Sequence, residues 1–218
     1  MRFCTFILII FAVLSFAGCS SNVTVPESNV SILRIKLVKL QLIEPSTDHN
    51  VERVKYTGIA KQAENMQAFN IAASAYSMLG NYYENLSITS IADKQTSYLN
   101  NALKYYQKAL YLDKKEQKLL ASASNPFPNA DKIAISLNNI SFVYEKLGEV
   151  DKAIKYAERA FSINRNLEYI LRVIKDCERL IRLYGKIGKE KSVLEYENTL
   201  KEYEILLAKR ELTENSSE

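Results

Sequence analysis

Residues 134–166, AISLNNISFVYEKLGEVDKAIKYAERAFSINRN, limit the fold more than any other stretch of the chain. Leu137, Ile140, Tyr144 and Leu147 recur every three or four residues. After a break at Leu147-Gly148-Glu149, Val150, Ala153, Ala157 and Ala160 repeat that spacing, with Ile154 and Phe161 beside them. The period is helical. Gly148 suits a helix end, because glycine reaches a positive φ without a Cβ clash. Ala153 and Ala160 let a second helix approach closely. The stretch reads as an antiparallel helix pair, and one such pair cannot bury its apolar faces alone.

Related patterns lie on both sides. Toward the N-terminus a helical pattern runs from Val51 through Val54, Ile59, Ala63, Met66, Phe69, Ala72, Ala73, Tyr76 and Leu79. Within it, Met66–Gly80 repeats the first helix of the pair, with Tyr76 in the place of Tyr144 and Gly80 in the place of Gly148. The matching second helix holds Ala102, Tyr106 and Ala109 and arrives late. Two readings follow: unusually long helices, or a loop over 85–94 inside the hairpin. Helix then continues to about Ser122. Asn125-Pro126-Phe127-Pro128-Asn129 breaks it, because proline blocks helix at itself and restrains the residue before it. This break reads as a linker between two helical modules, with Asn129 or Asp131 capping the next helix. Toward the C-terminus, Cys177, Leu180, Tyr184 and Gly188 take the places of Leu137, Ile140, Tyr144 and Gly148. In the last helix Val193 and Leu200 replace the small residues, as suits a terminal capping pair.

The central pair resembles the tetratricopeptide repeat, a helix–turn–helix unit of about 34 residues. Tyr144, Gly148, Ala153 and Ala160 match its pattern, while Ser141 stands where Gly is usual and Arg165 where Pro is usual. The resemblance implies an all-α fold: antiparallel helix hairpins stacked as a short right-handed solenoid. It also implies a concave groove lined by the first helix of each pair. Carried over by position, the groove residues are Gln67, Asn70, Ser74 and Ser77, then Asn138, Phe142 and Glu145, then Lys175, Glu178 and Arg182. A protein or peptide partner is expected there, with Asn70, Ser74, Asn138, Phe142, Glu145, Lys175 and Arg182 as the contact set. Phe142 is the one aromatic among them and the natural anchor.

The N-terminus addresses the chain. Arg2 is followed by nearly continuous apolar sequence from Phe3 to Val13, too short for a stable bilayer span, and then by the small residues Ala17-Gly18. Phe16-Ala17-Gly18-Cys19 resembles a bacterial lipobox, with Phe16 where Leu is usual. The resemblance implies lipidation at Cys19 and anchoring in the cell envelope, since several acyl chains hold where one would not. In an envelope with two membranes, Ser20 after the cysteine directs the anchor to the periplasmic face of the outer membrane. In one with a single membrane it sits on the outer face.

The chain then divides into a leader (1–18), a tether (19–29), an N-terminal segment (30–50), a first hairpin with an insertion (51–124), two further hairpins (129–211) and a disordered tail (212–218). Val30–Ile43 alternates in part like a strand, yet read as a helix it places Val30, Leu33, Leu37 and Leu40 on one stripe. The helix is slightly preferred, because a lone strand leaves its backbone groups unpaired. Glu44–Asn50 reads as a loop.

Composition argues against chemistry. One His, at 49, excludes a His-pair metal site, and the mature chain keeps a single Cys, at 177, within an apolar stripe. No glycine-rich phosphate loop occurs. Net charge is +4 with the charges interspersed, which does not favour nucleic acid. No enzyme activity, cofactor, metal or small-molecule substrate is expected. The expected role is a non-enzymatic, lipid-anchored scaffold, of the kind that serves assembly of pili, secretion channels or outer-membrane proteins. A permanent structural subunit docked through Val30–Ile43 is the first alternative, and an envelope hydrolase or its regulator the second. Cys19→Ala is expected to abolish incorporation of a palmitate analogue into the chain in cells; unchanged labelling would place the lipid elsewhere.

Overall fold

The computed structural model describes residues 27–42 and 49–215. The leader, Cys19, the tether as far as Pro26, residues 43–48 with Pro45, and residues 216–218 lie outside them. Among the described residues there are eight helices and no strand: α1 (Glu27–Leu42), α2 (His49–Asn65), α3 (Phe69–Thr89), α4 (Ala92–Leu120), α5 (Ala130–Lys146), α6 (Val150–Asn166), α7 (Ile170–Lys186) and α8 (Glu190–Asn215). Helices pack mainly on their sequence neighbours, the arrangement of a helical solenoid. α3, α5 and α7 form one layer, joined by the Glu84–Lys146 and Glu145–Arg182 pairs. α2, α4, α6 and α8 form the other, joined by the Glu64–Lys108 ion pair and the Phe161–Tyr196 edge contact.

Four turns share one geometry. The residue between α2 and α3 is Gln67 (φ 55°), between α5 and α6 Gly148 (77°), between α6 and α7 Glu168 (56°), and between α7 and α8 Gly188 (67°). In each, the following N–H reaches back five residues: Ala68 to Ala63 O, Glu149 to Tyr144 O, Tyr169 to Asn164 O and Lys189 to Tyr184 O. This left-handed cap closes a helix and reverses the chain at once. The pattern from Val51 to Leu79 is therefore two helices, not one. Gln67 carries no sequence mark of the turn, because a non-glycine there is uncommon and costly.

The late second helix is explained by length. α3 and α4 run 21 and 29 residues where α5 and α6 run 17 each, and only Ser90 and Ile91 separate them. The loop reading of 85–94 is thereby replaced by long helices, and 51–124 holds three helices rather than one hairpin. Gly80 is a correction as well. It lies inside α3, not at its end, and a Cβ there would come within 2.4 Å of Tyr106 Cε1. The glycine lets α4 press its Tyr106 ring against the α3 backbone. That ring is 1% exposed, with its hydroxyl placed to donate to Asn81 Oδ1 (2.7 Å) or Glu84 Oε2 (2.8 Å).

The proline-rich segment does not separate two modules. α4 supplies Leu99, Ala102, Tyr106 and Leu110 to one buried cluster and Ala109 and Leu112 to the other, so the core is continuous through it. Asn129 is turned to φ 52° and makes no side-chain cap; its amide instead donates to Asp113 O (3.0 Å) and Glu116 Oε2 (3.3 Å) of α4. Nor does Asp131 cap α5; it lies in the helix's first turn.

At the N-terminus the helical reading of Val30–Leu42 holds. Leu33 and Leu37 are buried, with Val30 and Leu40 packed beside them. The helix begins at Glu27, inside the segment read as tether, and its first-turn carboxylate suits the positive end of the helix dipole. His49 and Asn50 open α2 rather than closing a loop. α8 runs through 212–215, since extending an existing helix adds a hydrogen bond per residue fixed.

Two substitutions test these geometries in opposite directions. Gly80→Ala gains about 1 kcal/mol of helix propensity but overpacks a fully buried ring, at a cost of about 1–3 kcal/mol, so thermal unfolding followed by circular dichroism moves to lower temperature. Glu168→Gly relieves a left-handed non-glycine worth about 1–2 kcal/mol, less the added freedom of the unfolded chain, and moves it up.

Candidate protein-binding groove

Each expected first helix holds its layer through a tyrosine. Tyr76, Tyr144 and Tyr184 stack on Tyr105, Tyr156 and Tyr196 of the next helix, with centroids 6.0, 5.5 and 5.8 Å apart. Each also bonds a helix of the other layer. The Tyr76 and Tyr184 hydroxyls donate to Glu64 Oε1 and Glu158 Oε1, both at 2.5 Å, and Gln107 Nε2 donates to the Tyr144 hydroxyl at 3.4 Å. Tyr82-Tyr83 and Tyr105-Tyr106 belong to the same packing: Tyr82 and Tyr106 are buried, and Tyr83 stacks on Tyr105 at 5.5 Å. These rings pack the two layers against each other.

Four of the expected contact residues come together where α5 meets α7. Arg182 grips Glu145 with two parallel hydrogen bonds, Nε to Oε1 and Nη2 to Oε2, each 2.9 Å. Lys186 Nζ adds a third at 2.7 Å. The Arg182 hydrogen bonds hold the Glu145 carboxyl down at about 2, against the opposing effect of its burial. Phe142, half-buried, lies under two cations: Lys146 Nζ is 4.6 Å and the Arg179 guanidinium 5.4 Å from its ring centre. Such faces attract cations through the ring quadrupole. Asn138 is spent on structure: its side-chain amide donates to Asp176 Oδ1 at 2.8 Å, and its backbone carbonyl accepts from Arg179 Nη1 at 2.8 Å.

Asp176 carries no mark in the sequence, yet it is the buried centre of this junction. It accepts from Asn138 and, through Oδ2 at 2.6 Å, from Asn164. Burial pushes its carboxyl above the ordinary range, against the two amides that favour the charged form. Its helical stripe is apolar, so only the facing Asn residues could have marked it. Cys177 beside it is wholly buried, which pushes its thiol up to about 12 and leaves little thiolate at neutral pH.

The other expected residues stand apart. Asn70 Oδ1 accepts from Ile71 N, and the Ser74 hydroxyl donates to Asn70 O, so both bond within α3. Ser77 is half-buried and Gln67 forms the exposed α2–α3 turn, not a groove wall. Lys175 and Glu178 are on α7 and both are exposed. Cys19 lies outside the described residues. Among the described residues no group of three or more His, Cys, Asp and Glu is placed to hold a metal, and no helix is long and apolar enough to cross a membrane.

A family comparison agrees with this geometry. A family model for the tetratricopeptide repeat matches residues 134–167, the α5–α6 pair. The chain thus carries a tetratricopeptide repeat within an all-α helical solenoid. Among solved structures it is similar to the crystal structure of BtubC (BKLC) from P. vanneervenii, at 18% identity and a TM-score of 0.46, over 84% of this chain and 74% of that one. No curated protein sequence matches.

The α5–α7 ion pairs have a defined pH signature. Glu145 has its pKa depressed on folding, so its contribution is present above the ordinary carboxylate pKa and is lost as pH falls toward 2. Arg182 is half-exposed and screened, so Glu145→Gln is expected to destabilise by only about 0.5–1 kcal/mol at pH 7. Denaturant titrations of both proteins from pH 7 to pH 2.5 check it: the gap between them narrows below about pH 4.5.

Proposed function

We propose that this chain is a non-enzymatic scaffold, anchored by lipid at Cys19, that docks an envelope protein or peptide along the layer formed by α3, α5 and α7. The observation that carries the reading is the α5–α7 surface. Phe142 sits there partly exposed, framed by Lys146 and Arg179, next to the hydrogen-bonded Glu145–Arg182–Lys186 cluster. Preorganised aromatic and arginine groups at the centre of a surface are what binding anchors are made of. The tetratricopeptide match supports protein interaction as the class of function. The lipobox resemblance at Phe16-Ala17-Gly18-Cys19 supports the envelope as its place. Assembly of pili, secretion channels or outer-membrane proteins is the corresponding cellular role. In this reading Asn138 positions Arg179 rather than touching the partner, and Lys175 and Arg182 supply the outer charged contacts.

Site-specific photocrosslinking in cells tests the reading. A photoreactive residue replacing Phe142 or Lys175 is expected to capture one envelope protein. The same group at Lys155, exposed on α6 in the other layer, is expected to capture none. Capture at 155 alone, or at none of the three, would remove the groove from consideration.

A further inference from the structure

α1 has two apolar faces, and the solenoid uses one. Leu33 and Leu37 are buried against α2 and α3. On the opposite side Ile32, Ile35 and Val38 are 50%, 54% and 45% exposed, and Val54 of α2 is 60% exposed. These are three β-branched side chains on one short helix, left largely uncovered by the described residues. Isolated exposed apolar residues are ordinary, but a row on one face marks a surface that is covered in use.

The charges around the row choose what covers it. After Glu27 in its first turn, the charged residues of α1 are Arg34, Lys36 and Lys39, all basic. Lys36 and Lys39 line a shallow groove with Val54 and Lys55 of α2, which extends the positive rim to a second helix. An apolar stripe edged by Lys and Arg is the pattern of a helix lying in a membrane interface, its apolar side set about 5–10 Å into the headgroup boundary. A second copy of this chain is the poorer occupant, because it would bring two rows of like charge together. The basic rim requires an anionic surface.

We propose that the outer face of α1, Ile32, Ile35 and Val38 edged by Arg34 and Lys36 and continued one turn on by Lys39, lies on an anionic lipid surface. This deepens the reading of an envelope protein and rests on it. The helix fixes how the solenoid stands on the membrane, which a covalent lipid at Cys19 alone would not do. Leu33 and Leu37 then join the lipid-facing helix to the protein core, and the α3–α5–α7 layer is held at a set orientation to the bilayer.

The chain has no Trp, so a single substitution gives a clean reporter. The full chain with Ile35→Trp, combined with Cys19→Ala to remove the lipid, is mixed with vesicles of phosphatidylglycerol and phosphatidylcholine bearing brominated acyl chains. The indole emission is expected to shift to shorter wavelength and be quenched. Leu194→Trp in the same background, on exposed α8, is expected to stay in water. Each of Lys36→Gln and Lys39→Gln is expected to weaken partition about fivefold, with unfolding temperature unchanged because neither side chain forms part of the buried core. An Ile35→Trp reporter that stays unquenched while the chain floats with the vesicles overturns the proposal. So does equal quenching in pure phosphatidylcholine, or a blue shift without lipid that grows with protein concentration, which would mark a second copy. If the reporter at position 35 stays in water while residue 142 still captures its partner in cells, the lipid contact fails and the scaffold reading stands.

Discussion

Alanine at zero exposure runs through the helix pairs: Ala60 and Ala63 in α2, Ala72 and Ala75 in α3, Ala102 and Ala109 in α4, Ala134 in α5, and Ala153, Ala157 and Ala160 in α6. Two helices approach to about 8 Å between axes, the near end of the usual range, only where their contact residues are small. Close approach in turn brings the larger side chains into mutual contact. Leu137, Ile140, Leu180 and Leu183 interlock over these alanines. Ser141 shows how tight the fit is. Standing where the repeat usually has glycine, it is accommodated because its hydroxyl donates to Ala153 O across the pair at 2.8 Å. Gly80 and Tyr106 reach the same end in reverse, with the small residue on one helix and the ring on the other.

Between pairs the solution is polar. At the α4–α5 junction Asp113 of α4 accepts from the Ser136 hydroxyl of α5 at 3.0 Å. At the equivalent α6–α7 junction the carboxylate has changed sides, and Asp176 of α7 accepts from Asn164 of α6. Both carboxylates are nearly inaccessible, and burial raises both, Asp113 to about 6. A buried carboxylate left unpaired is costly, and at each junction the neighbouring helix brings the matching donor. This gives the stack an order that alanine and leucine contacts alone would not distinguish.

The same repetition organises the functional reading. Stacked tyrosines tie α3, α5 and α7 each to the next helix of the other layer, and Glu145 and Arg182 join α5 to α7 beside Phe142. At the other end α1 closes the buried stack with Leu33 and Leu37 and leaves a second apolar face outward.

The sequence by itself determined the helical class, the α5–α6 pair, the alignment of Tyr76 and Tyr184 with Tyr144, and the core place of Cys177. All of these follow from local periodicity, which needs no distant contact to be read. Three decisions were made only in the tertiary structure. The turn at Gln67 is invisible in sequence because a glutamine there adopts the conformation glycine usually supplies, held by backbone bonds to Ala63 and Glu64. The length of α3 and α4 was open because neither a loop nor a long helix violates the pattern; packing over Tyr83, Tyr105 and Tyr106 resolves it. The pairing of Glu145 with Arg182, and of Asp176 with Asn138 and Asn164, joins residues from separate helices, and periodicity carries no information about which helix lies beside which. That adjacency depends on the volume and hydrogen-bonding of buried side chains, and it gathers Glu145, Arg182 and Lys186 into one hydrogen-bonded cluster beside Phe142.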